Sequence, residues 1–168
     1  MNIIKTASFV ATLFVAGCAG SNGMIVANAT TQDQKCLAEA IYFEAGSEPT
    51  VGQHAVGQVI INRSHSNLYP NSICGVVYQR NYKQRGCQFS WTCRKHRQPH
   101  GQAWEHSQEV ARLLLIGKEY DMSHGALNFH NRSIKHSYST RHYVKTALIG
   151  HHVFWRPKNS KAFESQGE

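Results

Sequence analysis

A chain of 168 residues with 41% hydrophobic content can form one domain with its own core and is too short to plan on two. Aromatic residues spread from Tyr42 to Phe163 exclude a disordered or collagen-like polymer. The 18 Lys and Arg against 10 Asp and Glu give a net charge of +8 before 11 histidines are counted, which points to an anionic partner, although a merely soluble basic surface accounts for it equally.

The N-terminus reads as an export signal: Lys5 is followed by a short apolar stretch, Ala7 to Ala16, and then by small residues. That stretch is too short to span a membrane. Val15-Ala16-Gly17-Cys18 resembles a lipoprotein lipobox, and Ala27-Asn28-Ala29 fits ordinary signal peptidase cleavage. The first is preferred; a lipid on Cys18 would then tether the chain through a polar leash. Residues 1–29 are assigned to signal and leash, 33–157 to the catalytic domain and 158–168 to a flexible tail. Removing Cys18 leaves Cys36, Cys74, Cys87 and Cys93, an even number in an exported chain, and two disulfides are the natural reading. Three pairings are open; loop size favours Cys87 with Cys93 and Cys36 with Cys74. A zinc cluster is the rival, disfavoured because no C-x-x-C occurs.

Asp33 to Ala45 has helical periodicity, with Leu37, Ala40, Ile41 and Glu44 on one face. Glu39 falls about 200° from Leu37 and is expected to be solvated. Gly46-Ser47-Glu48-Pro49 breaks the helix, and Thr50-x-x-Gln53 matches a capping box opening a second one, whose stripe is Val51, Ala55, Val56, Val59 and Ile60. Two such helices would pack with Glu44 near the turn between them. Ile73 to Tyr78 fits one or two helical turns. From Gln79 to His100 the chain is polar, basic and aromatic, with two cysteines bracketing Gln88 to Thr92. This is read as a cross-linked loop or small hairpin that either stacks on sugar rings or covers core. Gln102 to Ile116 is the clearest helix, with Ala103, Ser107, Val110, Ala111, Leu114 and Leu115 inward and Gly117 as its stop. Ala126 to Asn131 alternates as a strand, and Tyr143 to Ile149, Gly150, then His152 to Arg156 read as strand, turn, strand. Helices first and short strands later predict an α+β domain.

A carboxyl on an apolar helix face loses solvation, so its pKa rises, which is what a general acid requires; that makes Glu44 the first candidate, against the alternative of a salt-bridged acid. The histidines His130, His136, His142, His151 and His152 lack an H-E-x-x-H spacing, and no metal or other cofactor is expected. His151 and His152 are adjacent, so on a strand only one would reach a given site. There is no G-x-S-x-G, and no glycine-rich phosphate loop.

Residues Ala38 to Ala45, then Glu48-Pro49, Gly52-Gln53, Ala55-Val56 and Val59 to Arg63, resemble the SleB/CwlJ-type cell wall hydrolases, which include spore-cortex-lytic enzymes. The match continues through Tyr69 to Gln79 and Cys87 to Ser90, resumes at Ala126 to Asn131 and closes at Ile149 to Phe154. The resemblance implies a lysozyme-like α+β fold with N-terminal helices and a small β-rich part, acting on peptidoglycan between N-acetylmuramic acid and N-acetylglucosamine. Glu44 corresponds to the catalytic glutamate of its Tyr-x-Glu-Ala motif. Where the family carries Glu-Ala-Arg-Gly-Glu, this chain has Gly46-Ser47 between Ala45 and Glu48, leaving the arginine's place to another basic residue such as Arg63. Tyr42, Glu48, Gln88, Phe89, Trp91, Asn128, His130 and Asn131 are the expected substrate-binding residues. With few acids nearby, a lytic transglycosylase is preferred to a hydrolase, for which Glu48 is the candidate second acid. The rivals are an N-acetylmuramoyl-L-alanine amidase and a non-catalytic peptidoglycan-binding lipoprotein. The expected setting is a monomer in the periplasm or cell envelope, with no nucleic-acid partner.

Overall fold

The computed structural model describes residues 30–81, 86–95, 98–117, 120–134, 138 and 140–160. The expected signal with Cys18, His136 and the tail beyond Ser160 lie outside the described residues.

Helix α1, Thr31–Ala45, starts two residues earlier than its apolar pattern because Thr30 caps it: its hydroxyl accepts from the Asp33 N–H at 3.1 Å and the Asp33 carboxylate accepts from the Thr30 N–H at 3.2 Å. Every residue from Cys36 to Ile41 is buried, so α1 is a central helix covered on most sides rather than an amphipathic surface one. That overturns the solvated reading of Glu39: it is buried and accepts a short hydrogen bond from the Tyr78 hydroxyl.

Helix α2, Thr50–Ser64, forms where its stripe predicts, but the capping box does not, since Pro49 stands at the N-cap and the Gln53 amide donates instead to the Glu48 carbonyl at 3.1 Å. Val51, expected inward, is exposed, while Ala55, Val56, Val59 and Ile60 are buried. At Gly57 a Cβ would lie 2.5 Å from the Leu114 side chain and 3.0 Å from that of Ile41, so a residue without a side chain is what lets three helices meet there. The short helix α3, Ile73–Val77, is capped by the Ser72 hydroxyl and tied to α1 by the Cys36–Cys74 disulfide, with Cα atoms 5.3 Å apart. Strands β1, Arg80–Asn81, and β2, Gly86–Cys87, form a small hairpin followed by a 3-10 turn, Ser90–Cys93, which the Cys87–Cys93 disulfide closes. Both pairings are those favoured by loop size, and they commit the four thiols that a zinc cluster would need.

Helix α4, Gly101–Leu115, packs along α1 and α2 through Ser107, Val110, Ala111, Leu114 and Leu115, while Ala103 stays exposed. Gly117, at φ 67°, turns the chain away. The last third is a three-stranded antiparallel sheet in the order β3-β5-β4, made of β3, Asn128–Asn131, β4, Tyr143–Ile149, and β5, His152–Pro157. One face of the sheet closes on α2: Phe154, fully buried, joins Ala45, Ala55, Val56, Val59 and Ala126 in a core with Phe129 and Ala147 at its edge. The other half of the core lies among α1, α3 and α4 and includes Phe89 and Trp91. Helices and sheet therefore meet where α1 ends, which is where Glu44 stands.

Candidate active site

Glu44 is the penultimate residue of α1 and is half-buried. Loss of hydration pushes its carboxyl pKa above the ordinary 4.5, and this outweighs two influences of opposite sign, the neighbouring Trp91 indole and the positive charge of Arg63. The 3-10 turn puts Trp91 in place, stacked on Phe43 at 4.6 Å and 28° and flanked by Phe89 at 6.2 Å and Tyr78 at 6.1 Å. These rings form an apolar backing for the acid. Tyr42, two residues before Glu44 on α1, is half-buried and meets Phe43 and Trp104 edge-on.

Arg63, in the last turn of α2, is 3% exposed. Its Nε donates to the Leu127 carbonyl at 2.7 Å, and its guanidinium lies 5.0 Å from the Tyr69 ring and 5.7 Å from the Phe89 ring. Burial lowers its pKa, while the neighbouring Tyr69, Tyr138 and Glu44 act to hold the charge.

The expected binding residues divide into three groups. Phe89 and Trp91 are buried at 4% and 8% exposure, so the reading of their loop as core cover applies to these two rings. On the sheet, His130 stacks on Trp155, at 6.2 Å and 17°, and Tyr138 lies against both rings, at 5.9 Å and 5.7 Å, with His130 Nδ1 against the Asn131 carbonyl at 3.0 Å. Asn128 pairs with Trp155 across β3 and β5 and is half-buried, as is Gln88. The Asn131 amide oxygen accepts from the Ser133 N–H and hydroxyl at 2.9 and 2.8 Å, which holds the turn after β3.

Glu48 forms the third group. Its carboxylate is buried and accepts from the His151 backbone N–H at 2.9 Å and the His151 ring at 3.0 Å, with His152 Nδ1 at 3.8 Å. Burial alone would raise its pKa, yet the two His151 hydrogen bonds and the histidine charges together bring it below the ordinary value. Both histidines thus reach one carboxylate, contrary to the alternation expected of a strand, because His151 sits in the turn before β5 and His152 begins the strand. Glu48 is a clasp between the α1–α2 turn and the β4–β5 hairpin. Tyr69, Phe43, Tyr138 and Trp155 were not among the expected site residues, because their places depend on contacts between distant segments.

Buried helices followed by a small antiparallel sheet define an α+β domain. The chain belongs to the cell wall hydrolase family, whose match covers residues 47–155 and begins three residues after Glu44. Among similar proteins, the spore cortex-lytic enzyme of Bacillus subtilis (strain 168) is 46% identical over 50 residues, 30% of this chain and 16% of that protein. The spore cortex-lytic enzyme of Bacillus cereus is 40% identical over 60 residues, 35% of this chain and 23% of that protein, so the chain aligns with less than a quarter of either relative's length. Two solved structures share the fold. The catalytic domain of Bacillus cereus SleB superposes with a TM-score of 0.55 at 22% identity, over 82% of this chain and 99% of that one. The catalytic domain of the germination-specific lytic transglycosylase SleB from Bacillus anthracis gives 0.55 at 24%, over 77% and 98%.

Proposed function

We propose that this chain cuts the glycan strands of peptidoglycan between N-acetylmuramic acid and N-acetylglucosamine, as a lytic transglycosylase with Glu44 as its single acid. The observation that carries the reading is the contrast among three glutamates close in sequence. Glu39 is engaged by Tyr78 and Glu48 by His151, whereas burial pushes the Glu44 carboxyl pKa up, the direction a general acid requires. Glu44 donates its proton to the glycosidic oxygen as the C1–O bond breaks through an oxocarbenium-like state. The resulting carboxylate takes the proton of the muramic 6-hydroxyl as that oxygen attacks C1. A 1,6-anhydro ring closes, N-acetylglucosamine leaves with the first proton, and Glu44 is again an acid. A hydrolase would need a second carboxylate to activate water, and the clasp on Glu48 counts against that residue. Tyr42, Gln88, Asn128 and His130 are the half-buried residues proposed to contact the sugars. The proposed setting is the cell envelope, which the family's wall substrate and the basic charge both favour. Among the described residues no helix is long and apolar enough to cross a membrane.

Mass spectrometry of fragments released from purified sacculi tests the reaction. Anhydro-muropeptides are expected. Reducing ends would indicate a hydrolase, and intact stem peptides freed from the glycan in a chelator-sensitive manner would indicate an amidase.

A further inference from the structure

The outer face of the sheet carries side chains that neither core uses. Register pairs Trp155 of β5 with Asn128 of β3 on one side and Lys145 of β4 on the other, so the three stand in one row on one face. The opposite face is the one that Phe129, Phe154 and Ala147 close on α2. Asn128 and Trp155 are half-buried and Lys145 is exposed; among the described residues Lys145 makes no ion pair. Tyr138 lies 5.7 Å from Trp155 and 4.8 Å from Tyr143, which widens the aromatic surface beside the row. The row is joined to the end of α2, because the Leu127 N–H donates to the Trp155 carbonyl at 3.0 Å and the Leu127 carbonyl accepts from Arg63. From Arg63 a run of rings leads through Phe89 and Trp91 to Phe43, the residue before Glu44. We propose that the row is a subsite for a peptide-bearing N-acetylmuramic acid unit of the glycan strand: the sugar ring lies on Trp155, its acetamido or hydroxyl groups bond the Asn128 amide, and a carboxylate of its stem peptide meets the Lys145 ammonium.

This inference rests on the reading of the chain as an enzyme that cuts peptidoglycan, and it names which of the two alternating sugars the sheet selects. Both sugars present an apolar ring face and an acetamido group, so an indole and an amide alone would accept either. Only the muramic unit bears a peptide, and the peptide bears carboxylates. A side chain that reads this difference is a cation standing beside the ring platform, which is where Lys145 stands. Neighbouring strands lie about 4.8 Å apart, so a unit seated on Trp155 has Asn128 on one side and Lys145 on the other. No acid opposes the peptide on this face: the adjoining pairs are His130 with Val153 and Tyr143 with Pro157, and Glu48 is held by His151 and His152. A flexible, hydrated ammonium also suits the end of a mobile peptide better than a rigid fork would.

The test is a binding titration of the Glu44→Gln protein, with a peptidoglycan tetrasaccharide that bears its stem peptides and, separately, with the N-acetylglucosamine tetramer. The NMR signal of the Trp155 indole should move with both ligands, and the peptide-bearing one should bind about tenfold more tightly. Lys145→Gln, a change at an exposed position, should cancel that preference, and Lys145→Arg should retain it. Trp155→Ala should weaken both ligands; if it does not fold, Trp155→Phe, with a smaller ring, should weaken both to a lesser degree. An unchanged preference in folded Lys145→Gln, or an indole signal that neither ligand moves, would overturn the proposal. If the Glu44→Gln protein still releases fragments from sacculi, the acid assignment fails instead, and the effect of Lys145 on the preference reports on the row separately.

Discussion

Glu44→Gln is expected to lower the release of glycan fragments from purified sacculi by about a thousandfold, a loss typical of removing a general acid. The substitution removes one transferable proton and keeps the shape. Thermal unfolding should therefore show a fold at least as stable as that of the parent, since a costly desolvated carboxyl has been replaced by a neutral group. Sacculus digestion and a melting curve on the same preparation decide the matter. A folded Glu44→Gln protein with near-parental activity would remove Glu44 from the mechanism.

The second large effect is on stability and falls at Gly150→Ala. Gly150 has φ 57°, in the left-handed region, and a Cβ there would stand on the Glu48 carboxylate, within contact of its Oε2 and 3.6 Å from Pro49. The methyl group can be accommodated only if Glu48 withdraws, which leaves a buried carboxylate without its His151 donors. A loss of about 3 kcal/mol is expected, combining backbone strain with a broken buried ionic contact, and denaturant unfolding measures it. The clasp has a definite pH dependence. Because the folded Glu48 pKa is lowered, its contribution is present above the unfolded carboxyl's pKa and is lost as pH falls through the folded one. The parent should thus lose more stability on acidification than Gly150→Ala does. A variant as stable as the parent would show that the clasp does not hold the hairpin to the helices.

The elements that were legible in the sequence are those with a strong local period. The stripe of α4 and the alternation around Gly150 place a helix and a hairpin within about a residue of where they stand. The phase of α1 set Glu44 beside Leu37, Ala40 and Ile41, but the same reasoning misplaced Glu39, because a helix buried on most sides has no solvent face for its second acid. The Thr50 capping box failed for a local reason that the sequence did contain, namely Pro49 at the N-cap. The site itself was only half legible. Glu44 and the rings of the 87–93 loop carried signals, whereas the burial of Arg63 between Tyr69, Phe89 and Leu127 arises from three segments far apart in the chain, and no spacing rule reports it. Read alone, Arg63 is a cation in the last turn of a helix, which the helix dipole explains without any site. The division of labour between Glu44 and Glu48 was likewise hidden, because two glutamates four residues apart look alike until one meets Trp91 and the other His151.

Carbon-13 NMR titration of the glutamate carboxyls measures that division directly, with Glu44→Gln and Glu48→Gln supplying the assignments. Glu44 should titrate above the ordinary 4.5 and Glu48 below it. A Glu44 midpoint at or below 4.5 would contradict the account.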